Sequence, residues 1–505
     1  MKYLKIFIGI FKARWLLWQC ENEAVNRYGF NGKRVFINTV KFNCVSTPIE
    51  FFFGLYVVSR GGSVFQVIDD GFLEHHDLFQ YCQGKRELNP SKLKIYKCMI
   101  SIYALVINRI FTRYKVLTIG ALLRDNNEAS DRPREYQNLV DLWANSSTER
   151  FYQSDLSNVL LVEDYQRRSR KNCWVGIAIA KAMLDDYECD SLISSHGIYS
   201  LWAPAYNLFK DRGDTRVLLY GTNTYKEGEL TFSSLVLQCQ SQSDEYKDYM
   251  RSSPSNLEIA EEFMRSRLSH SSKDTQVYYA GRSGTIELNK SYFNILVCPN
   301  VVWDGNVPDR DALFDGLIDW VNWYQNLIFS SENVHVYIRF HPAESTWYPN
   351  ALSLYDVLER KGLLLQHERI TYLKSDEKLD LYSFLNEFDL IGVYDGILAL
   401  EAAYVGVPVF IGALGRFSGF QLSDTFNSKE QMLKEIQKAS KGAVLNPGCI
   451  ETAIKCCAFY IDYSSVRLSI VDNVGVDYGA NVMRLSKQDL LENEKLNFWM
   501  SLLIK

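Results

Sequence analysis

The sequence holds 11 cysteines but no CxxC pair, so the knuckle of a structural zinc site is missing. Its cysteines lie far apart except Cys456-Cys457, whose adjacency suits neither a normal disulfide nor a zinc knuckle. The expectation is reduced thiols in a cytoplasmic protein. An excess of one charge is also missing. Lys+Arg 55 against Asp+Glu 60 gives a net charge of −5, too little positive field to hold a nucleic-acid backbone, so no nucleic-acid partner is expected. Uninterrupted apolar runs are missing too. The start, MKYLKIFIGIFKARWLLW, is broken by Lys12 and Arg14 and is followed by no small-residue cleavage site. Residues 93–123 are interrupted by Lys94, Lys97, Arg109, Arg113 and Lys115. No transmembrane helix is therefore expected. The basic, aromatic start suits the surface of an anionic membrane, and equally a first strand or helix of the fold. Internal repeats and low-complexity tracts are absent, as are the phosphate loops GxxxxGK[ST] and GxGxxG and the GxSxG hydrolase elbow.

At 505 residues, 47% hydrophobic and 23% charged, the chain has globular composition and the length of several domains. Short β-branched apolar runs recur, each followed by a turn and then a stretch of helical period. Ser63–Ile68 leads to Asp69-Asp70-Gly71, and 158–162 to Glu163-Asp164 and a helix over 174–184. Residues 191–194 lead to Ser195-His196-Gly197 and a helix over 202–210, with 216–219 as the next strand. In the second half, 293–297 precedes Pro299-Asn300 and a helix over 310–329, and 334–340 ends at His341-Pro342. Ile370–Leu373 is a strand, 381–386 a helix, Leu390–Val393 a strand, 397–404 a helix and 407–411 a strand. This alternation predicts parallel sheets covered by helices on both faces. The polar stretch 266–274 reads as a linker. The fold class is α/β, with two Rossmann-like doubly wound domains facing a cleft: 1–270, then 285–470, then a helical segment 471–505 that packs back on the first.

The polar clusters all follow strands, where open α/β sheets place ligands. Asp69-Asp70-Gly71 offers a carboxylate on a tight glycine turn, a general base or nucleophile, or simply a polar turn. His75, His76 and Asp77 read only as a helix start. In Ser195-His196-Gly197, Gly197 would admit a close ligand and His196 would donate to a phosphate or sugar hydroxyl; the other reading is a structural histidine. Arg339-Phe340-His341-Pro342 aims two donors from a strand end, suited to a nucleotide phosphate, or it is a capped strand end. Tyr394-Asp395-Gly396 leads into a helix of small residues holding Glu401. That carboxylate either meets a sugar diol or pairs with a basic residue of the core.

Four strings together resemble the bacterial capsule polysaccharide biosynthesis family of GT-B glycosyltransferases, which includes Kdo transferases. They are SHGIY (195–199) with Trp202, CPNVVWD (298–304), RFHPAE (339–344) and YDGILALEAAYVGVP (394–408), spread over 69–419. The family is related to GT-B sialyl- and polysialyltransferases with an acid-acid-Gly and a His-Pro motif. The resemblance implies Asp70 as catalytic base or nucleophile, with His341 and Pro342 on the donor's phosphate. It also implies Arg339 and Gly396 at that site and Glu401 on the donor, with His196, Gly197, Asp69 and Asp304 lining the cleft. Asp395-Gly396 stands where the sialyltransferase relatives carry a Ser-Ser/Thr pair, and a carboxylate there would repel a phosphate unless it turned away. The implied activity is metal-independent transfer from a nucleotide-sugar, CMP-Kdo foremost, to a glycan or lipid-linked glycan of capsule or O-antigen. No cofactor is implied, and the implied place is cytoplasmic, peripheral on the inner membrane. The rival readings are a nucleotide-sugar epimerase or hydrolase on the same fold, and a non-catalytic glycan-assembly component.

Overall fold

The computed structural model describes residues 2–24, 29–43, 46–73, 90–124, 133–152, 162–223, 225–254, 257–273, 275–276, 281–303, 313–346, 352–418, 422, 426, 428–474 and 477–504. Its strands are β1 (Arg34–Val40), β2 (Ser63–Ile68), β3 (Tyr114–Thr118), β4 (Ser191–Ser195), β5 (Arg216–Thr222) and β6 (Glu229–Ser233), then β7 (Phe293–Cys298), β8 (Val334–Arg339), β9 (Ile370–Leu373), β10 (Leu390–Val393), β11 (Val409–Ile411) and β12 (Ser465–Arg467). They form two large sheets, ordered β12-β6-β5-β4-β1-β2-β3 and β11-β10-β7-β8-β9, and two further strands, Val471–Val474 and Asp477–Ala480, pair as an antiparallel hairpin at the start of the segment 471–505 expected to be helical. Within each sheet the five core strands follow the same third-second-first-fourth-fifth order and run parallel. That is the doubly wound Rossmann order. β6 and β12 extend the first sheet antiparallel.

The strands form where the sequence is continuously apolar. All residues of β8 and β10 are buried, as parallel strands covered on both faces must be. The α/β class and the paired doubly wound units are as the alternation of the sequence predicts. Several local expectations differ. Residues 153–161, which hold most of the strand expected over 158–162, lie outside the described residues, and Val162 opens a helix running to Asp185. In place of a helix over 381–386 stand two short 3-10 turns, Leu381–Ser383 and Leu385–Glu387. Asp380 caps the first by accepting from the Tyr382 N–H at 3.2 Å, and a lone turn so fixed does not propagate. The basic run Arg167–Lys171 winds round a helix with Ser169 buried and Arg167 and Lys171 exposed, Arg167 and Arg168 pairing with Asp164 and Arg170 with Asp141.

The chain crosses between the units more than once. After the second sheet it returns to add β12 to the first, pairing Ser465–Arg467 with Thr231–Glu229. The sequence reading groups these three residues with the second unit. The final helix, Glu494–Ser501, lies on the first unit. Trp499 is fully buried and stacks on Phe232 with centroids 6.2 Å apart. The Asn497 side-chain Oδ1 accepts from the Tyr56 hydroxyl at 2.7 Å and from Arg60 at 3.0 Å, and the Ser191 hydroxyl donates to the Leu503 backbone carbonyl at 2.7 Å. Truncating Trp499 to Ala empties this contact and should cost about 3–5 kcal/mol. The urea midpoint of the whole chain would fall by the matching amount, and an unchanged midpoint would show that the C-terminal helix is not part of the cooperative unit.

Candidate functional site

In an open parallel sheet the crevice lies past the strand C-termini, where the strand order reverses. In the first unit that point lies between β1 and β4. The chain leaves β1 as Lys41-Phe42-Asn43 and leaves β4 as His196-Gly197. The backbone here is bent into the left-handed region: Val40 has φ 52°, His196 58°, Gly197 72° and Tyr199 67°. A β-branched residue at positive φ is an outlier, and such strain gathers where a site dictates the geometry.

A buried cation stands at this turn. The Lys41 side chain is buried, with its ammonium 4.7 Å from the ring centroid of Trp202, a cation–π arrangement strengthened by desolvation. The His196 ring lies 5.8 Å from the same indole and shares a hydrogen bond with the Ser195 hydroxyl. The Ser200 N–H donates to the Ser147 hydroxyl at 2.8 Å, which fixes the end of the Gln137–Tyr152 helix, and Arg150 with it, against the same turn. Burial pushes the imidazole of His196 down to about 4, aided by the positive charges of Arg150, Lys41 and Arg416. At neutral pH the ring is therefore uncharged.

Arg416 belongs to the second unit, in the loop after β11. That loop is fastened to the first unit. Ser241 donates to the Gly415 carbonyl and shares a 3.0 Å bond with the Ser418 hydroxyl, Gln242 reaches Ser418 at 3.3 Å, and the Arg416 guanidinium donates to the Leu237 carbonyl at 3.4 Å. Asp395, at the second unit's own switch point after β10, accepts from the Arg416 backbone N–H at 3.2 Å. A Cβ on Gly415 would stand 2.1 Å from its carboxylate oxygen, so glycine is what admits Asp395 to that loop. The carboxylate is thus turned onto the 413–418 loop. Beside it, Gly396 faces open space, since a Cβ there would meet nothing within 4 Å.

The other residues singled out by sequence divide between two kinds of position. Asp69 is fully buried, and one of its oxygens accepts the N–H groups of Gly71, Phe72 and Leu73 at 3.0, 2.7 and 3.1 Å. It shapes the turn, and burial raises its carboxyl to about 6 against those three bonds. Asp70 is half-buried and accepts from the Gly120 N–H at 2.9 Å, on the strand next to the switch point. His341 follows β8, one strand from the other switch point. Its Nδ1 accepts from the Ala343 N–H at 3.1 Å, so the proton of the neutral ring sits on Nε2. Pro342 opens the turn into Ala343–Thr346, its carbonyl accepting from Thr346 at 3.1 Å. Arg339 is buried and donates to the carbonyls of Leu373, Lys374 and Glu377. These bonds hold the 373–377 loop to the end of β8. Glu401 is buried and ion-paired to Arg267 at 2.5 Å, and it accepts from the Tyr382 hydroxyl at 2.8 Å. Of the two partners open to Glu401, the structure shows the basic one. Asp304, His75, His76 and Asp77 lie outside the described residues.

Lys41, Arg150 and Arg416 went unnoticed in the sequence, and so did Arg267, which sits in the stretch read as a polar linker. Lys41 follows the run Arg34–Val40 and Arg416 follows VPVFI, so a strand-exit rule applied to every strand would have caught both. Nothing local marks Arg150.

No protein-family model and no curated protein matches the chain. Among solved structures, the KpsC beta Kdo 2,4 transferase of Thermosulfurimonas dismutans is similar over 56% of this chain and 82% of that one, at 12% identity and a TM-score of 0.36. The UDP-GlcNAc 2-epimerase of Neisseria meningitidis, bound to UDP-GlcNAc, covers 85% and 98% at 11% identity and 0.25. CalG4, the calicheamicin glycosyltransferase, covers 86% and 94% at 10% identity and 0.25.

Two measurements test this geometry. Replacing Arg267 alone by Met strands the Glu401 carboxylate and should cost about 3–5 kcal/mol, whereas Arg267→Met with Glu401→Met together should recover most of it. Additive losses in that cycle would mean that the two charges do not interact. His196 gives a pH signature. Above pH 6.5 its ring is neutral folded or unfolded and contributes no pH dependence. As pH falls from 6.5 towards 4 the unfolded chain takes a proton that the folded one refuses, and stability declines. A ring resonance titrating near 6.5 by NMR would refute the burial of the ring beside positive charge.

Proposed function

We propose that the chain is a glycosyltransferase, moving a sugar from a nucleotide-activated donor, CMP-Kdo foremost, to the acceptor glycan of a bacterial surface polysaccharide. The observation that carries this reading is the sharing of one crevice. The 413–418 loop of the second unit, which carries Arg416, is bonded to Leu237, Ser241 and Gln242 of the first unit, whose switch point holds buried Lys41 and His196 against Trp202. Preorganised positive charge between two doubly wound units suits a substrate whose leaving group is a phosphate. The resemblance of SHGIY, RFHPAE and YDGILALEAAYVGVP to the capsule family supports the same reading.

In this mechanism Asp70 takes the proton of the acceptor hydroxyl, the freed oxygen attacks the anomeric carbon, and the sugar–phosphate bond breaks. The electron pair leaves on the nucleotide. The Nε2–H of His341 donates to that phosphate, and Lys41, Arg150 and Arg416 offset the charge that develops on it, in a site drier than water. Neutral His196 hydrogen-bonds the substrate without adding charge. Arg339 and Glu401 are positioning residues. Arg339 holds the loop beneath His341, and Glu401, locked to Arg267, holds the helix that carries the Asp395-Gly396 turn. Protein cations in these places make a bound metal unnecessary for leaving-group departure, and activity should persist in EDTA.

Asp70→Asn should lower turnover at least a hundredfold while leaving the binding of CMP or UDP, followed by calorimetry, unchanged. Wild-type turnover in this variant would remove Asp70 from the chemistry. Donor incubated without acceptor should stay intact; its rapid hydrolysis or epimerisation would replace the transferase by another class of enzyme.

A further inference from the structure

A helix laid on a globular core normally hides its apolar stripe and shows polar residues outward. The first helix, Lys2–Ala24, does not. One face is buried through Ile6, Ile10, Ala13 and Leu17. The opposite face is apolar as well: Ile8, Phe11, Trp15 and Trp18, spaced three and four residues apart, are 48%, 63%, 57% and 66% exposed. A second helix, Pro90–Ile110, touches the first and repeats the pattern. It buries Ile100, Tyr103 and Ile107 in the same core and exposes Ile95, Ile102 and Leu105. An apolar surface this continuous needs a covering.

Charge identifies that covering. The first helix holds Lys2, Lys5, Lys12 and Arg14, with Glu21 and Glu23 only past its apolar stripe, and residues 90–110 hold Lys92, Lys94, Lys97 and Arg109 and no acid, in a chain of net charge −5. Lys5, Arg14, Lys94 and Lys97 are exposed, with Arg14 on one side of the first stripe and Lys5 on the other, while Lys12 donates to the Met483 carbonyl at 2.8 Å. Exposed tryptophans between bases match an anionic headgroup layer with acyl chains beneath it. A second copy of the same face would oppose base to base.

We propose that the exposed faces of these two helices form a docking surface for an anionic lipid bilayer, on which the protein lies without crossing it. The surface adjoins the crevice. The Phe42 N–H, just past β1, donates to the Tyr96 hydroxyl of the second helix at 2.9 Å, and the two rings lie 6.3 Å apart. Docking therefore brings the mouth of the site to the headgroup level, where a lipid-linked acceptor would be presented. That last step rests on the transferase reading; the surface itself does not.

The test is co-sedimentation of the full chain with phosphatidylcholine vesicles, with and without one third phosphatidylglycerol. Binding is expected to the anionic vesicles only and to weaken with salt. Trp15→Glu with Trp18→Glu should reduce it roughly tenfold or more. Lys94→Glu with Lys97→Glu, which disturbs no packing, should reduce it by a similar factor. Thermal midpoint and nucleotide titration should be unchanged in both. Equal binding to both kinds of vesicle, no binding, or wild-type binding by both variants would overturn the proposal. So would light scattering that shows a dimer dissolved by these substitutions. A protein that binds vesicles but no nucleotide would lose the transferase reading and keep the surface.

Discussion

The site depends on a charge pair that water cannot reach. Arg267 and Glu401 are both buried and lie 2.5 Å apart. Two ions in such a place pay a desolvation penalty that their attraction barely offsets, so the pair adds little net stability. What it adds is position. An unpaired charge there costs several kcal/mol, so the helix Glu258–Leu268 and the helix Leu398–Tyr404 have one acceptable register. The second helix begins just after Asp395-Gly396. The pair therefore sets where that turn stands relative to the connection between the units. Tyr382, bonding the same carboxylate oxygen, ties in the segment after β9.

From that fixed turn the geometry of the crevice follows. Asp395 is held on the loop 413–418 by the Arg416 N–H, and the loop is pinned to Leu237, Ser241 and Gln242 of the first unit. The Tyr460 hydroxyl, on the returning chain, bonds the Arg416 carbonyl as well. Arg416 is thus anchored from both units, and its charge falls on His196. The Asp395 carboxylate is turned onto the same loop that carries Arg416.

Buried parallel strands were the most legible part of the sequence, because a strand covered on both faces must be an unbroken apolar run. Leu390–Val393 could be bounded to the residue for that reason, and Ser63–Ile68 and Ile370–Leu373 from their β-branched and aromatic residues. The turns after them were legible through glycine and histidine. Charges were not. Arg267 looks solvated in the sequence and is buried by an acid 134 positions away, while Arg339, which the sequence suggests as a donor to a phosphate, is bonded to three carbonyls of a neighbouring loop. Lys41, Arg150 and Arg416 become a cluster only after two sheets and a crossing loop are assembled. Sheet order, not local pattern, identified the switch point at which they meet.

The first helix shows why a segment can be ambiguous by composition and definite by context. Apolar on both sides, it reads alike as a core element or as a membrane-surface element, and the bases within it break any spanning run. Once Ile6, Ile10 and Leu17 are buried, with the helix packed on Ser46–Ser59 and on the 482–484 turn, Phe11, Trp15 and Trp18 have only the outside left, because residues three and four apart on a helix share a face. Among the described residues no helix is long and apolar enough to cross a bilayer. A helix with one face in protein and the other in headgroups satisfies both halves of its composition. On the proposed lipid surface, the cost of exposing two tryptophans to water would be removed.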